Sequence, residues 1–560
     1  MMYKQYQEMN GECSPNEFLD NIKIHDVKCD CDHGKYLYEQ ILGDIYEDEA
    51  MVYCTCAHTT VAATKRQIRK VPYPDQKIMS DFLMHSFKLI EEDIGEELNH
   101  FGYSFEDWMN KLDTAKYNDM KDLNDILNSN PEVINIPTTR IKKLTDPRFH
   151  SLVKIELQKK DGKPRMICMT PKINKYVMGP VTLKLEEICG EKLRGYCKGE
   201  SNNKLAHEFN NNLKDGFCYI VQGDMSGYDG SQNVINKAID RYIYKRVADK
   251  VYHVSKQQFL KISQKHINTI SIDYKKNNQD VQLMEIDILG TVFSGASDTT
   301  LMNTIRTAMY IRYVNDKNGL VYGVDYKCYC KGDDFIVFYR NKYPKSTLDS
   351  MYYAYFMKAA KLSDLAGNYD DREYGLGQVL KFLKVGDITS LDYLSLRAFY
   401  KNEKEIVLVR NPEKFFDLSR YSRKTKNMKP IETIGYLLDQ AESLRITYGG
   451  IDIFDKQANL YIEKAKQIAK EVNMTHAVIQ NCLKKRLLTK KNRQTLRRFK
   501  ACVDESKNKD SVLYNISPLK DKKRKPDGIT WWDWQKLEQS HVDVDQHDII
   551  YLNREINSTY

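Results

Sequence analysis

Two acidic residues at the ends of strand-like runs constrain this chain more than any other feature. Phe217-Cys218-Tyr219-Ile220-Val221-Gln222-Gly223-Asp224 closes on Asp224, and Lys331-Gly332-Asp333-Asp334-Phe335-Ile336-Val337-Phe338 reads as strand, glycine-assisted turn and strand around Asp333. Each segment puts an acid where backbone pairing stops. If the two strands are neighbours, these carboxylates meet, and like charges brought that close persist at neutral pH when a cation sits between them. The pair therefore predicts a divalent-metal site suited to phosphoryl chemistry. Either segment alone reads as a solvated turn.

Other segments form an ordered set around this pair. Lys154 is followed by Lys159-Lys160-Asp161-Gly162-Lys163-Pro164-Arg165-Met166-Ile167. Next come Asp224-Met225-Ser226-Gly227-Tyr228-Asp229 and Ser294-Gly295-Ala296-Ser297-Asp298-Thr299-Thr300-Leu301-Met302-Asn303, ahead of the Asp333 turn. In this order the segments resemble motifs F, A, B and C of RNA-dependent RNA polymerases from positive-strand RNA viruses, most closely the tombus-like and noda-like groups. The resemblance spans residues 150 to 415. It implies an α+β right-hand polymerase fold of fingers, palm and thumb, with an antiparallel-sheet palm and a helical thumb. It also implies an RNA-directed RNA polymerase that replicates and transcribes a viral RNA genome by template-directed, two-metal nucleotidyl transfer.

Each segment also has a chemistry of its own. Two Mg²⁺ (or Mn²⁺) ions about 3.5–4 Å apart activate an attacking 3′-hydroxyl and stabilise leaving pyrophosphate, and they take hard carboxylate oxygens from both sides. The resemblance assigns those ligands to Asp224 and Asp333, with Asp334 a weaker third because neighbouring strand residues face opposite ways. Asp229 lies near the start of a stretch, Ser231 to Asp249, that reads as helix, so a capping role competes. The resemblance pairs Asp229 with Asn303 in reading the ribose 2′-hydroxyl. Thr299 and Asn303 share one face of a helix predicted over Thr299 to Val314. Before that helix, Gly295 allows close approach of a nucleotide or template, while Ser294 or Ser297 can serve simply as a cap. The resemblance favours template and ribose positioning for this loop.

Val153-Lys154-Ile155-Glu156-Leu157 alternates, and the pattern resumes after the Asp161-Gly162 hairpin signal. On such a hairpin Lys154, Lys159, Lys163 and Arg165 can clamp an incoming triphosphate and neutralise charge as pyrophosphate leaves. Lysine-rich surface hairpins also occur where no phosphate binds. Downstream, Gly377-Gln378-Val379-Leu380-Lys381-Phe382-Leu383-Lys384 looks like the end of motif D, where a lysine acts as general acid toward pyrophosphate. Lys381 and Lys384 compete for that place, and Lys381 is taken as the catalytic candidate; an edge-strand lysine is the plain alternative. Asp392-Tyr393-Leu394-Ser395-Leu396-Arg397 resembles motif E, although Tyr393-Leu394-Ser395 departs from the family's commoner Phe-Cys-Ser or Phe-Leu-Ser.

Composition agrees with this reading without producing it. The chain has 560 residues, 29% of them charged and a formal charge of +9, which suits a polyanionic partner. The partners implied are an RNA template and product duplex, ribonucleoside triphosphates, and other viral or host replication proteins. No run of about 18 apolar residues and no signal pattern is present. The expectation is a host-cytoplasmic chain without a transmembrane segment, reaching membrane-associated replication complexes through partners. An odd count of 13 cysteines fits reduced thiols. Cys29-Asp30-Cys31-Asp32-His33 and Cys54-Thr55-Cys56-Ala57-His58 share one spacing that puts Cys29, Cys31, His33, Cys54, Cys56 and His58 on strand faces. Four of these could hold zinc. The spacing lacks the usual gap between paired ligands, so ordinary thiols compete.

These landmarks divide the chain. Residues 1–140 read as an N-terminal extension and fingers, including a helical stretch from Asp81 to Leu98, and 141–215 as fingers with the basic hairpin. The palm takes 216–240 and 288–400, and the fingers insertion takes 241–287, with a polar Asp273 to Gln282 segment expected to be exposed and mobile. Residues 401–560 read as thumb and tail: helical periods over Ile431 to Leu444, Asp455 to Val472 and Thr475 to Arg498, the last carrying a basic run suited to a duplex backbone. Two other classes remain. A reverse transcriptase is disfavoured by Asp229 with Asn303, since it excludes the 2′-hydroxyl. A non-catalytic RNA-binding replication scaffold is disfavoured by the intact acidic and basic motifs.

Overall fold

The structure, a computed structural model, describes residues 39–40, 50–52, 55–67, 73–128, 136–159, 164–276, 279–293, 295–358, 374–402, 405–412, 415, 421–422, 428–448 and 451–472. It is a mixed α+β chain whose sheets are dominated by antiparallel pairs.

Helix α1 (Gln76–Asn99) begins where Asp75 accepts the Ile78 amide at 2.8 Å, a side-chain cap. Its Phe82, Leu89, Ile90, Ile94 and Leu98 recur at helical spacing and are buried. Strands β1 (Phe149–Val153) and β2 (Met166–Met169) pair antiparallel, and helix α2 (Lys172–Lys192) follows. Strand β3 (Tyr219–Met225) leads to a single helical turn at Tyr228–Ser231, then to helix α3 (Ala238–Val247). The helix predicted over 231–249 is thus broken. The Asn233 side chain accepts the Ile235 and Asn236 amides at 2.9 Å, a local turn that competes with helix hydrogen bonds.

Strands β4 (Ile267–Lys276) and β5 (Gln279–Leu289) form a long antiparallel ribbon. Within the polar Asp273 to Gln282 segment, 273–276 and 279–282 are paired strand; Gln279, Asp280 and Gln282 are exposed as expected, but Asp273 is buried, bonded to His150 and Ser271. Counting polar residues concealed the period-two pattern that a half-covered strand needs. Sheet order in this region is β2-β1-β4-β5.

Helix α4 (Thr299–Lys317) is buried continuously from Leu301 to Asn315. Strands β6 (Tyr326–Lys331) and β7 (Asp334–Tyr339) form a hairpin; β8 (Met357–Lys358) and β9 (Val379–Gly386) complete a five-stranded sheet in the order β8-β9-β3-β7-β6. Strand alternation gives this sheet two apolar faces. Val221, Phe335, Val337 and Tyr339 belong to the core built around α1, α2 and α4. Ile220, Ile336 and Phe338 belong to a second core. That core is closed by the hairpin of β10 (Leu396–Asn402) and β11 (Glu405–Arg410) and by helices α5 (Pro430–Tyr448) and α6 (Asp452–Glu471). The basic run after Thr475 lies outside the described residues, and no described helix is long and apolar enough to cross a membrane.

Candidate active site

The two acidic segments meet on adjacent strands. In the antiparallel pairing of β3 with β7, Asp224 and Asp334 are direct partners, so their Cα atoms stand about 4.5–5.5 Å apart and their side chains share a face. Asp333 precedes Asp334 in the tight turn, where Gly332 takes a left-handed φ of 64°. That turn is stapled to α4 on both sides: the Gly332 amide donates to Thr304 Oγ1 at 2.9 Å, and the Thr307 hydroxyl donates to the Gly332 carbonyl at 2.7 Å. Burial, then the charges of Asp224 and Asp229, raise the Asp333 carboxyl to about 6. Arg165 opposes this shift through its positive charge.

One lysine reaches Asp224. The pairing of β9 with β3 slips between Leu380 and Phe382, leaving Lys381 as the bulged residue, and its Nζ lies 2.8 Å from Asp224 Oδ2. A bulge re-aims a side chain. Lys384 instead donates to the Ser390 carbonyl at 2.7 Å. Beyond β9, Leu394 and Ser395 both hold left-handed φ values, 55° and 58°, in the turn that opens the β10–β11 hairpin, with Tyr393 buried beneath.

Asp229 faces α4. Asn303 Nδ2 donates to Asp229 Oδ1 at 2.6 Å. Asn303 Oδ1 in turn accepts from Arg306 Nη2 at 2.5 Å, and Arg306 is ion-paired through Nη1 to Asp240 of α3, both side chains almost wholly out of solvent. This chain fixes the orientation of the Asn303 amide, because its oxygen must face the guanidinium. Sequence reasoning passed over Arg306 and Asp240. The available signal was a lone arginine three residues after Asn303, amid Met302, Ile305, Ala308 and Met309. Thr304 and Thr307, which hold the acidic turn, carried no such signal.

The other predicted residues are distributed as follows. Lys154 and Arg165 face each other across the basic hairpin: the Lys154 amide donates to the Arg165 carbonyl at 2.7 Å, and both side chains pair with Glu156, at 2.5 and 3.7 Å. The backbone of Lys159 pairs with Ala50, while its side chain, Lys163 and Ser294 lie outside the described residues. The close approach at Gly295 (φ 116°) is to protein: an added Cβ would stand 2.4 Å from the Cys168 carbonyl oxygen. Thr299 Oγ1 donates to the Phe293 carbonyl at 2.7 Å, tying the loop to its own helix start. Of the two cysteine clusters, Cys29, Cys31, His33, Cys54 and the His58 side chain lie outside the described residues. Cys56 is buried with its Sγ 3.4 Å from Thr59 Oγ1.

Among the described residues no three His, Cys, Asp or Glu side chains close on one point as a ready metal cage. The donor set still fits Mg²⁺, which keeps water and binds through one or two carboxylates plus substrate phosphates. Asp333, raised by burial and by the charges of Asp224 and Asp229, is the observation that favours a cation here. No known protein-family profile matches the chain, and no curated protein sequence matches it.

Proposed function

We propose that this is a template-directed nucleotidyltransferase with a right-hand fold. The β8-β9-β3-β7-β6 sheet is its palm, the β1–β2 hairpin and the β4–β5 ribbon belong to its fingers, and α5 and α6 begin its thumb. More particularly, it is an RNA-directed RNA polymerase that copies the genome of a positive-strand RNA virus. What carries the reading is the register that sets Asp224 against the Gly332-Asp333-Asp334 turn, with Asp229 and Asn303 hydrogen-bonded beside it.

Asp224 and Asp333, with Asp334 as a further oxygen donor, would hold divalent magnesium or manganese, which when bound polarises the attacking hydroxyl and the leaving phosphates. The remaining chemistry belongs to the chain. Asp229 and Asn303 present an acceptor and a donor to the ribose, and the Arg306–Asp240 pair holds them in that orientation. Arg165 brings positive charge toward the carboxylates from the fingers side. Lys381, near Asp224, can deliver a proton to departing pyrophosphate. In the cell the partners are RNA, ribonucleoside triphosphates and other replication proteins, which bring this chain to membranes in the host cytoplasm.

The test is incorporation of labelled ribonucleotides by the purified chain on a defined RNA template, with and without a primer. The expected product is complementary to the template and disappears when divalent metal is withheld. Product formed equally without template, or no product under any primer and metal condition, overturns the reading.

A further inference from the structure

A second charged recess lies away from the carboxylates, beneath the loop that leads into α4. It occupies about 80 Å³ between the start of α2, the first turn of α3 and residues 295–299. One water needs roughly 10–15 Å³ of such space, so the recess accommodates a group of several heavy atoms, the size of a phosphate. Its walls carry four basic side chains, Lys237, Arg241, Lys265 and Arg306, against two acids, Asp240 and Asp298. Lys237 at the N-cap of α3 and Arg241 one turn later line it together with Lys265 from the fingers insertion, and Asn174 adds an amide.

Lys237, Arg241 and Lys265 have no ion-pair partner among the described residues. The nearby acids are engaged elsewhere: Asp240 is paired with Arg306, and Asp298 accepts the Tyr244 hydroxyl at 2.7 Å. Lys237 also stands at the N-terminal end of α3, where the helix dipole favours an anion and disfavours a cation. Burial holds both Lys237 and Arg241 below their ordinary ranges, and the pair adds to the burial that depresses His266. Asp240 and Asp298 favour the charged form of Lys237 but burial outweighs them, so an anion entering the recess would stabilise the basic cluster.

We propose that this recess binds a phosphate group, with Lys237 and Arg241 as the paired donors and Lys265 at the rim. The chemistry is shared by two sources, the backbone of a single RNA strand and a free polyphosphate. Neither depends on the assignment of the carboxylate centre, because the donors Lys237, Arg241 and Lys265 take no part in it, although the recess shares Thr299, Asp240 and Arg306 with the scaffold behind Asn303.

Binding is measured with chelator present, so that no divalent ion bridges phosphate to Asp224 and Asp333. The probes are a labelled single-stranded oligoribonucleotide, followed by anisotropy over a salt series, and inorganic pyrophosphate, followed by calorimetry. Lys237→Gln combined with Arg241→Gln is expected to weaken at least one probe by about tenfold or more, the worth of a charged hydrogen bond. For RNA the salt slope should fall by about 0.7 per lost phosphate contact. Loss confined to RNA identifies a strand backbone, and loss confined to pyrophosphate identifies a free polyphosphate. Lys265→Gln, at the rim, gives a milder loss and serves if the double variant fails to fold. If folded variants bind both probes as tightly as the unaltered chain, with the same salt slope, the proposal is overturned.

Discussion

Two groups of charge, one buried and one half-buried, lie on either side of Asn303 and are built in opposite ways. Behind it, Arg306 and Asp240 sit at 0% and 5% side-chain exposure and satisfy each other. In front of it, Asp224, Asp229 and Asp333 crowd together, with Lys381 on Asp224 and burial raising Asp333 to about 6. The first arrangement is complete in charge, although Arg306 Nε has no hydrogen-bond partner among the described residues, and it holds shape. We read the second as incomplete, because like charges add to burial in raising Asp333 and a bound divalent cation would offset them. Burial raises the carboxyls of both Asp240 and Asp333; what differs is the neighbour, a guanidinium beside Asp240 and two carboxylates beside Asp333.

The sharpest way to break that comparison is to remove one half of the complete pair. Asp240→Asn leaves Arg306 buried without its counter-charge and should cost about 3–5 kcal/mol in urea unfolding. Replacing both residues with leucine should cost far less, because the desolvation penalty disappears along with the attraction. Equal losses in both variants would mean that the pair is not what holds this region.

On the incomplete side, Lys381→Gln should slow nucleotide incorporation by about 10²–10⁴-fold, the range for a general acid, with Lys384→Gln close to unaltered. Single-turnover rates with both variants decide between the lysines. An equal effect at Lys384 would remove the significance of the bulge.

A third buried group extends the comparison to the N-terminal helices. His253 is 7% exposed; the Tyr103 hydroxyl lies 2.5 Å from its Nδ1 and the Tyr176 carbonyl 3.1 Å from its Nε2. Burial holds its pKa at about 4, below the ordinary histidine value, so the native state contains the neutral ring. The stabilisation is fully present above pH 6.5 and is lost as pH falls toward 4, by roughly 3 kcal/mol. Unfolding midpoints across that window should fall less steeply for His253→Gln than for the unaltered chain. The smallest expected effect is on sugar choice: Asp229→Ala should reduce the preference for ribo- over deoxyribonucleotides by about tenfold, the worth of a charged hydrogen bond. Competition between the two nucleotides reads this directly, and an unchanged ratio would assign Asp229 to structure alone.

Local signals carried some of these features and missed others. The apolar spacing of Phe82, Leu89 and Ile90 marks α1, and the acids at Asp224 and Asp333 mark strand ends, because each pattern is repeated or terminated within a few residues. The opposing of Asp224 and Asp334 depends on a strand register set across more than a hundred residues. Choosing Lys381 over Lys384 depends on a bulge that exists only once β9 is paired. The Asn233 turn that interrupts the predicted helix is local, yet it was masked by the helical spacing of Ile239, Ile243 and Val247. Asp240 with Arg306 was invisible because neither residue names its partner until α3 packs near α4.

Thermal unfolding of the unaltered chain and Asp333→Asn, each with and without millimolar Mg²⁺ or Mn²⁺, tests the incomplete carboxylate cluster most directly. Losing a charge that burial and the neighbouring carboxylates disfavour should make the metal-free variant more stable, on the order of 2 kcal/mol. The divalent ion should raise the midpoint of the unaltered chain and leave that of Asp333→Asn nearly unmoved. A variant less stable than its parent, or the same metal response in both proteins, contradicts the account.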